Sequence, residues 1–530
     1  MLIRDHLWIK ADARIDGRDE LIAKLGGSIA TQSDAELILS AYELWGEECP
    51  KYLLGDFAFA IWDQHSRRLF CARDHFGVKP FFYTHNSKRF IFSTDLNALR
   101  RYPEVSDELN EVAIGDYLLF GLNQDVTTTT FRDILRLPAA HSLTIANGRI
   151  TTRRYWTPDP SKKVRFRSQP DYVECFQELF TKAIKDRLPD DRVSVSMSGG
   201  LDSTSIAAIA RDLLGRSSAV LACAVVYDHL IPDQERQFST AAAEHLGIPI
   251  IHVAADDFSL FDEQVSGDMD QPEPFLLSPL TAQFHTLLRH CAAHGRVALT
   301  GFDGDSFMNE PNGIRARIRR LLPKQRHHYS LPAWIDESFA RRIKLLDRLK
   351  QSNAVQPVKR RPNAMRSLNS KVWAPLFEGY DRGATKLNLE LRHPLIDVRL
   401  VEYLLAIPTA PWCVNKHILR LAMRDRLPVA VLNRPKTPLA GDPALQLARS
   451  VGVRWLDTFE VNPQLERFVD SKLRRALADE QTSDGLWANL RVFALNYWLT
   501  NSQPIARRAT EKPVAEDHAV QSAQAIPMTA

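Results

Sequence analysis

The chain's densest chemistry is Ser-Gly-Gly-Leu-Asp-Ser at 198–203, between the alternating Val-Ser-Val-Ser of 193–196 and an apolar helical run. Gly199 and Gly200 let a backbone come close to a ligand. The free N–H groups where the following helix begins favour an anion, typically phosphate. Ser198, Ser203 and Thr204 add hydroxyls. Asp202 is the odd member, because a carboxylate repels phosphate unless a cation lies between them. Mg²⁺ held by one or two carboxylates plus phosphate oxygens resolves the conflict.

No lysine follows the glycines, so the loop is not the GxxxxGK[ST] phosphate loop. It fits the pyrophosphate loop SGGxDS of adenylating enzymes. A serine-capped turn uses the same residue types, but the whole hexapeptide between strand and helix favours the ligand. Val-Ala-Leu-Thr-Gly-Phe-Asp-Gly-Asp-Ser (297–306) is a second strand running into a Gly- and Asp-rich loop. In a doubly wound sheet this loop, opened by Gly301, lies beside the first and brings Asp305 to Asp202 across a shared Mg²⁺. Two further clusters follow. Residues 387–397 place Glu390, Arg392 and Asp397 among apolar neighbours, where uncompensated charge is costly. Residues 414–443 supply Lys416, Arg420, Arg434 and Lys436, cations suited to stabilising charge on a transferred or leaving group.

Positioning these residues needs strands whose ends meet. Helix 171–187, strand 193–197, helix 203–214, strand 219–226, helix 235–246, strand 248–254, helix 280–294 and strand 297–301 predict βαβ units and a parallel sheet. From about 313 onward the pattern reads as mostly helical. Residues 1–150 differ: short alternating segments at 57–63, 68–74, 81–85 and 89–94 predict an antiparallel β-rich unit. A helix at 34–46 is inserted in it, with Ser33 as N-cap and Gly46 as stop.

At 530 residues the chain is too long for one core. A net charge of +4 is too weak to argue for nucleic acid or membrane. Six scattered cysteines read as buried small hydrophobes of a reducing compartment. No apolar run approaches the roughly 18 residues of a membrane span, and the charged start is no signal peptide. A cytoplasmic location is expected.

Together the clusters resemble the asparagine synthetase family, including its β-lactam and lasso-peptide macrolactam synthetase relatives. The resemblance runs from about residue 10 to 500 and implies an α/β chain with an α+β N-terminal part. Residues 1–156 would be a truncated, degenerate class II glutamine amidotransferase-like (Ntn-type) domain, with a linker at 157–170. Residues 171–502 would be an adenine-nucleotide α-hydrolase-like synthetase domain with a helical extension, followed by a disordered tail at 503–530. In that family ATP adenylates a carboxylate, releasing pyrophosphate, and an amine then attacks to form an amide. The resemblance implies that Ser198, Gly199, Gly200, Asp202, Ser203 and Gly301 hold the nucleotide. Asp202 and Asp305 would hold Mg²⁺, Lys436 and Lys416 would stabilise charge, and Glu390 would help deprotonate the amine.

The N-terminal likeness rests on Asp34, Gly-Asp-Phe-Ala-Phe-Ala-Ile-Trp-Asp and residues 68–83. It departs where chemistry is required. The nucleophile of such a domain is a cysteine directly after the initiator Met, where Met1-Leu2 stand. Its Asn-Gly-Glu oxyanion segment aligns with Asp12-Ala13-Arg14. Thioester chemistry has no residues to run on. The second loop also departs, with Gly-Phe-Asp-Gly-Asp-Ser where asparagine-forming members commonly have Gly-Glu-Gly-Ser-Asp-Glu; that bears on the substrate more than on ATP.

The leading expectation is therefore macrolactam formation on a peptide precursor that brings its own amine. Its partners would be ATP, a carboxylate substrate, the precursor peptide and a companion protease, with no nucleic acid and no membrane. The alternative is asparagine made from aspartate. A non-catalytic scaffold is opposed by the retained Asp202, Asp305, Glu390 and Lys436, which a dead enzyme has no physical reason to keep buried. The basic stretch 315–328 would be a solvated face or a contact for an acidic peptide.

Overall fold

A computed structural model describes residues 1–27, 33–86, 88–159, 161–262, 269–275, 277–311, 330–353, 360–435, 441–451, 460–470, 483–502 and 524–527. Lys436 and the basic stretch 315–328 lie outside the described residues.

The N-terminal part is two stacked sheets. Strands β1 (Leu2–Arg4), β2 (Leu7–Asp16), β3 (Leu54–Asp63), β4 (Arg68–Arg73), β8 (His141–Ala146) and β9 (Arg149–Arg154) form a six-stranded antiparallel sheet in that order. The second sheet runs β15 (Gln524–Pro527), β6 (Arg89–Ser93), β5 (Phe82–His85), β7 (Leu135–Arg136). The sequence of β3 explains the stacking, because successive side chains alternate between faces. Phe57, Phe59 and Ile61 meet Leu37, Ile38 and Ala41 of the helix Asp34–Trp45. Ala58 and Ala60 face the other way, and their small size leaves room for Tyr83, Phe90 and Phe92. The helix begins as its sequence predicts: Ser33 and Glu36 form a reciprocal capping box, and Gly46 ends it at φ +55°.

The C-terminal part carries a parallel sheet in the order β12 (Ile250–Ala254), β11 (Val220–Val226), β10 (Val193–Ser196), β13 (Val297–Leu299), β14 (Glu390–Arg392). Both faces are covered. Val193 and Val195 pack with Phe176, Phe180, Ile206 and Ala242 on one side. Ser194 faces the other side, donating to the carbonyl of Cys291 in the helix Thr281–His294. The chain starts in the middle of the sheet, steps outward to β12, then returns to β13. That reversal opens a crevice between the carboxyl ends of β10 and β13, where ligands of such sheets bind.

Two expectations are corrected. Glu390–Arg392, read as part of a helical region, is the edge strand of the parallel sheet. Three residues are too few to show alternation, and pairing with β13 decides their state. Gln524–Pro527, within the tail expected to be disordered, pairs antiparallel with β6; a sheet edge presents unpaired backbone groups that a short extended segment satisfies. The other tail residues, 503–523 and 528–530, lie outside the described set. In the segment 157–170, Val164 donates its N–H to the carbonyl of Ala406 and packs on the main core. The two parts also share a core, in which Ile114, Tyr117 and Phe131 meet Trp334, Phe339, Leu490 and Phe493. All six cysteines are free, and all but the partly buried Cys175 are buried. Among the described residues no helix is long and apolar enough to cross a membrane.

Candidate functional site

The loop after β10 is shaped by glycine. Gly199 has φ +69°, and a Cβ there would lie 2.4 Å from the backbone nitrogen of Ser239. No other residue fits both the left-handed backbone and that close approach. Gly200 is the N-cap of the helix Leu201–Leu214, and no side chain caps it. The first-turn N–H groups are thus available for an anion. Thr204 Oγ1 is buried there without a hydrogen-bond partner among the described residues. Arg434 donates to the carbonyl of Ser198 at 3.2 Å and lies 4.2 Å over the ring of Phe238.

Because β10 and β13 are neighbours, the second loop comes to the first. A Cβ on Gly301 would lie 3.2 Å from the Ser203 nitrogen, and one on Gly304 only 2.3 Å from Asp202 Oδ2. The ammonium of Lys416 sits between the carboxylates, 2.6 Å from Asp202 Oδ2 and 2.9 Å from Asp305 Oδ1. Lys416 reaches them from a left-handed position, φ +56°, at the start of the helix His417–Ala422. Two carboxylates aimed at one point suit a divalent cation as well as an ammonium. No group of three or more His, Cys, Asp or Glu side chains gathers for a metal among the described residues. A cation here would therefore draw its remaining ligands from phosphate and water, as Mg²⁺ does.

Asp303 was not singled out by sequence, although the second acid in Gly-Phe-Asp-Gly-Asp is its signal. It stands at φ +67° and accepts from the Ser367 hydroxyl. Burial raises its carboxyl to about 6, with Asp305 and Asp202 adding to the effect.

Glu390 lies elsewhere. It pairs with Val297, the first residue of β13, so it stands roughly 10 Å along the strand before the loop at Thr300. Its carboxylate is 2.9 Å from Arg392 and 3.5 Å from Lys79. Burial alone would raise its pKa, but Lys79, Arg392 and Arg14 hold it down to about 2. A group so acidic is a poor proton acceptor at neutral pH. The cations around it select the charged form. Glu390 borders a cavity of about 280 Å³ between the two parts, together with Asp12, Lys79, Tyr380, Asp381 and Arg382.

Behind Asp12 and Ala13 the N-terminal part holds a buried ion-pair cluster. Arg14 donates to Asp16 at 2.8 Å and to Asp56 at 2.5 Å, and all three are buried. Arg187 bridges Asp16 at 3.1 Å to Asp397 at 2.8 Å, joining the two parts. Cys49 and Cys71 are fully buried, and burial pushes both thiols well above their ordinary value. Neither offers a thiolate nucleophile. Asp34 pairs with Arg18 and accepts from the Ile15 N–H, which is a structural duty.

Comparison with known proteins agrees with this architecture. The asparagine synthase family's sequence model matches residues 176–500, and a glutamine amidotransferase domain model matches residues 16–156. "Asparagine synthetase [glutamine-hydrolyzing] 3" of Bacillus subtilis (strain 168) is 28% identical over 497 residues, 88% of this chain and 79% of the relative. "Asparagine synthetase [glutamine-hydrolyzing] 2" of the same organism is 26% identical over 446 residues, 77% of this chain and 58% of the relative. Among solved structures, a glutamine phosphoribosylpyrophosphate amidotransferase from B. subtilis with ADP and GMP matches 47% of this chain and 45% of its own. Its identity is 12% and its TM-score 0.20, too low to carry an argument.

Proposed function

Because this chain belongs to the asparagine synthase family, we propose that it is an ATP-dependent ligase that adenylates a carboxylate and joins it to an amine of the same substrate. The product would be a macrolactam on a peptide precursor, formed without glutamine hydrolysis. The observation that carries this reading is the contrast at the two sites. The loops at Asp202 and Asp305 keep a geometry fit for pyrophosphate and a cation, whereas Arg14, where the amidotransferase-like part would need an oxyanion segment, is spent in ion pairs with Asp16 and Asp56.

In this mechanism the backbone at Gly199 and Gly200, with the uncapped helix start, cradles the pyrophosphate oxygens. Asp202 and Asp305 would hold Mg²⁺, which when bound neutralises phosphate charge. Lys416 keeps the two carboxylates convergent. Lys436, two residues beyond Arg434, is assigned the charge on the leaving pyrophosphate. Glu390 orients Lys79 and Arg392 and takes no proton. A substrate that holds its own amine near the activated carbonyl gains the large effective molarity of intramolecular attack, so no ammonia need be delivered.

Mass spectrometry of a candidate precursor peptide incubated with ATP and Mg²⁺ should show loss of one water, with AMP formed. AMP release that requires aspartate and ammonia, with asparagine as product, would replace this reading by the one the relatives' names favour.

A further inference from the structure

A second cavity, of about 240 Å³, opens between the two parts of the chain. His75, Phe76 and Trp156 line it from the N-terminal side, and Phe307, Trp373 and Phe377 from the other. Asp303 also borders it, so the cavity adjoins the loop that carries Asp305. Its volume equals that of about eight waters at bulk density, room for a side chain and part of a backbone.

Its walls are rigid and largely apolar. Trp373 donates its indole N–H to the carbonyl of Ser367 at 3.0 Å, and the Ser367 hydroxyl in turn donates to Asp303. Trp156 donates to Glu402 at 3.1 Å. Each ring is fixed by its one donor and lines the cavity as an apolar plane. The cations at the floor are already spent. Arg73 donates to the carbonyls of Lys79, Leu137 and Gly77 and to Glu378. Arg136 is held by Glu378 and Glu273. Arg154 and Lys371 also border the cavity, but as exposed side chains, Arg154 donating to the carbonyl of Trp156 and Lys371 to Gln124. His75 is buried, and burial lowers its pKa to about 4, so the ring is neutral. Its Nδ1 has no hydrogen-bond partner among the described residues.

The cavity around Glu390 is the opposite, bordered by Asp12, Lys79, Asp381 and Arg382. Of the two, the aromatic one is where an apolar group is favoured, and it reaches the loop beside the cation site.

We infer that the cavity of Trp156 and Trp373 seats an aromatic or branched aliphatic side chain next to the carboxylate that the loops activate. The substrate is then a peptide or acylated amino acid with an apolar residue beside its acid, and free aspartate is a poor fit. The inference rests on the ligase reading above and names the substrate class of that same site.

The test compares N-acetyl-Phe-Asp, N-acetyl-Lys-Asp and free aspartate in ATP–pyrophosphate exchange, with tryptophan fluorescence as a separate binding readout. An apolar pocket separates such substrates by roughly 10–200-fold, so N-acetyl-Phe-Asp should show a KM at least about tenfold below the other two. Trp373→Ala should raise that KM by about tenfold or more, leave kcat within about twofold, and leave the lysine compound unaffected. Trp373→Phe, which keeps a ring, should restore most of the loss and guards against simple misfolding. Equal KM for all three compounds, with exchange intact, overturns the cavity assignment and leaves the ligase reading standing. Absence of exchange, with fluorescence quenched by N-acetyl-Phe-Asp in wild type and not in Trp373→Ala, overturns the ligase reading while the cavity keeps its occupant. Neither exchange nor quenching overturns both.

Discussion

Two charge clusters, one in each part of the chain, differ in how far they are withdrawn from solvent. At the loops, Asp202 and Asp305 both meet the ammonium of Lys416, and the Asp305 side chain keeps 37% of its surface exposed. At the N-terminal cluster, Asp16 and Asp56 are answered by Arg14, and Asp16 again by Arg187, with side-chain exposures of 0% and 7%. The first cluster is open to solvent at Asp305, where a divalent cation and a phosphate can approach. The second is withdrawn from solvent. Similar residue types thus make a binding site or a structural rivet, according to how much of the cluster solvent can still reach.

The sharpest test of this contrast is Asp202→Ala. If the loop cluster holds a catalytic cation, the variant should lose about a hundredfold or more in ATP–pyrophosphate exchange while circular dichroism is retained. Near-normal exchange would make that cluster structural too.

Arg14→Ala addresses the other side. It leaves Asp16 and Asp56 buried with one cation fewer, and breaking such a pair typically costs about 3–5 kcal/mol. Urea unfolding should show that loss, with exchange activity per folded molecule kept within about twofold. An unchanged midpoint would show that the N-terminal part is not held by these pairs.

A smaller effect is expected in acid. The folded pKa of Glu390 is lowered from 4.5 to about 2, so its contribution is present above the unfolded value and is lost as pH falls from about 4.5 toward 2. Thermal melts of Glu390→Gln should therefore converge on wild type across that window. A constant gap down to pH 2 would contradict the assigned pairing.

The smallest expected signal is none at all: glutamine should release no glutamate above buffer, because Arg14 is spent in ion pairs and Cys49 and Cys71 are buried thiols. Turnover would break the comparison outright.

What the sequence by itself determined is local. Ser33 and Glu36 cap a helix through groups three residues apart, and Gly199 and Gly200 form a turn that few residue types allow. Alternation in β3 and the strand–helix rhythm of 193–299 depend on neighbours along the chain, so they were legible without tertiary knowledge. The Ser198–Ser203 loop and the loop of Asp305 were legible as loops for the same reason, each being a compact segment at a strand end.

Sheet order decided the rest. Asp305 reaches Asp202 because β13 lies beside β10, and Lys416 joins them from a distant helix. The register of Glu390 against Val297 carries it away from the loops and among cations that fix its charge. The partners of Arg14 and the pairing of Trp156 with Trp373 across one cavity have no sequence signal. Local motifs state which groups are available; the long-range packing of two cores selects which of them meet, because only contact brings the Coulomb and desolvation terms into play.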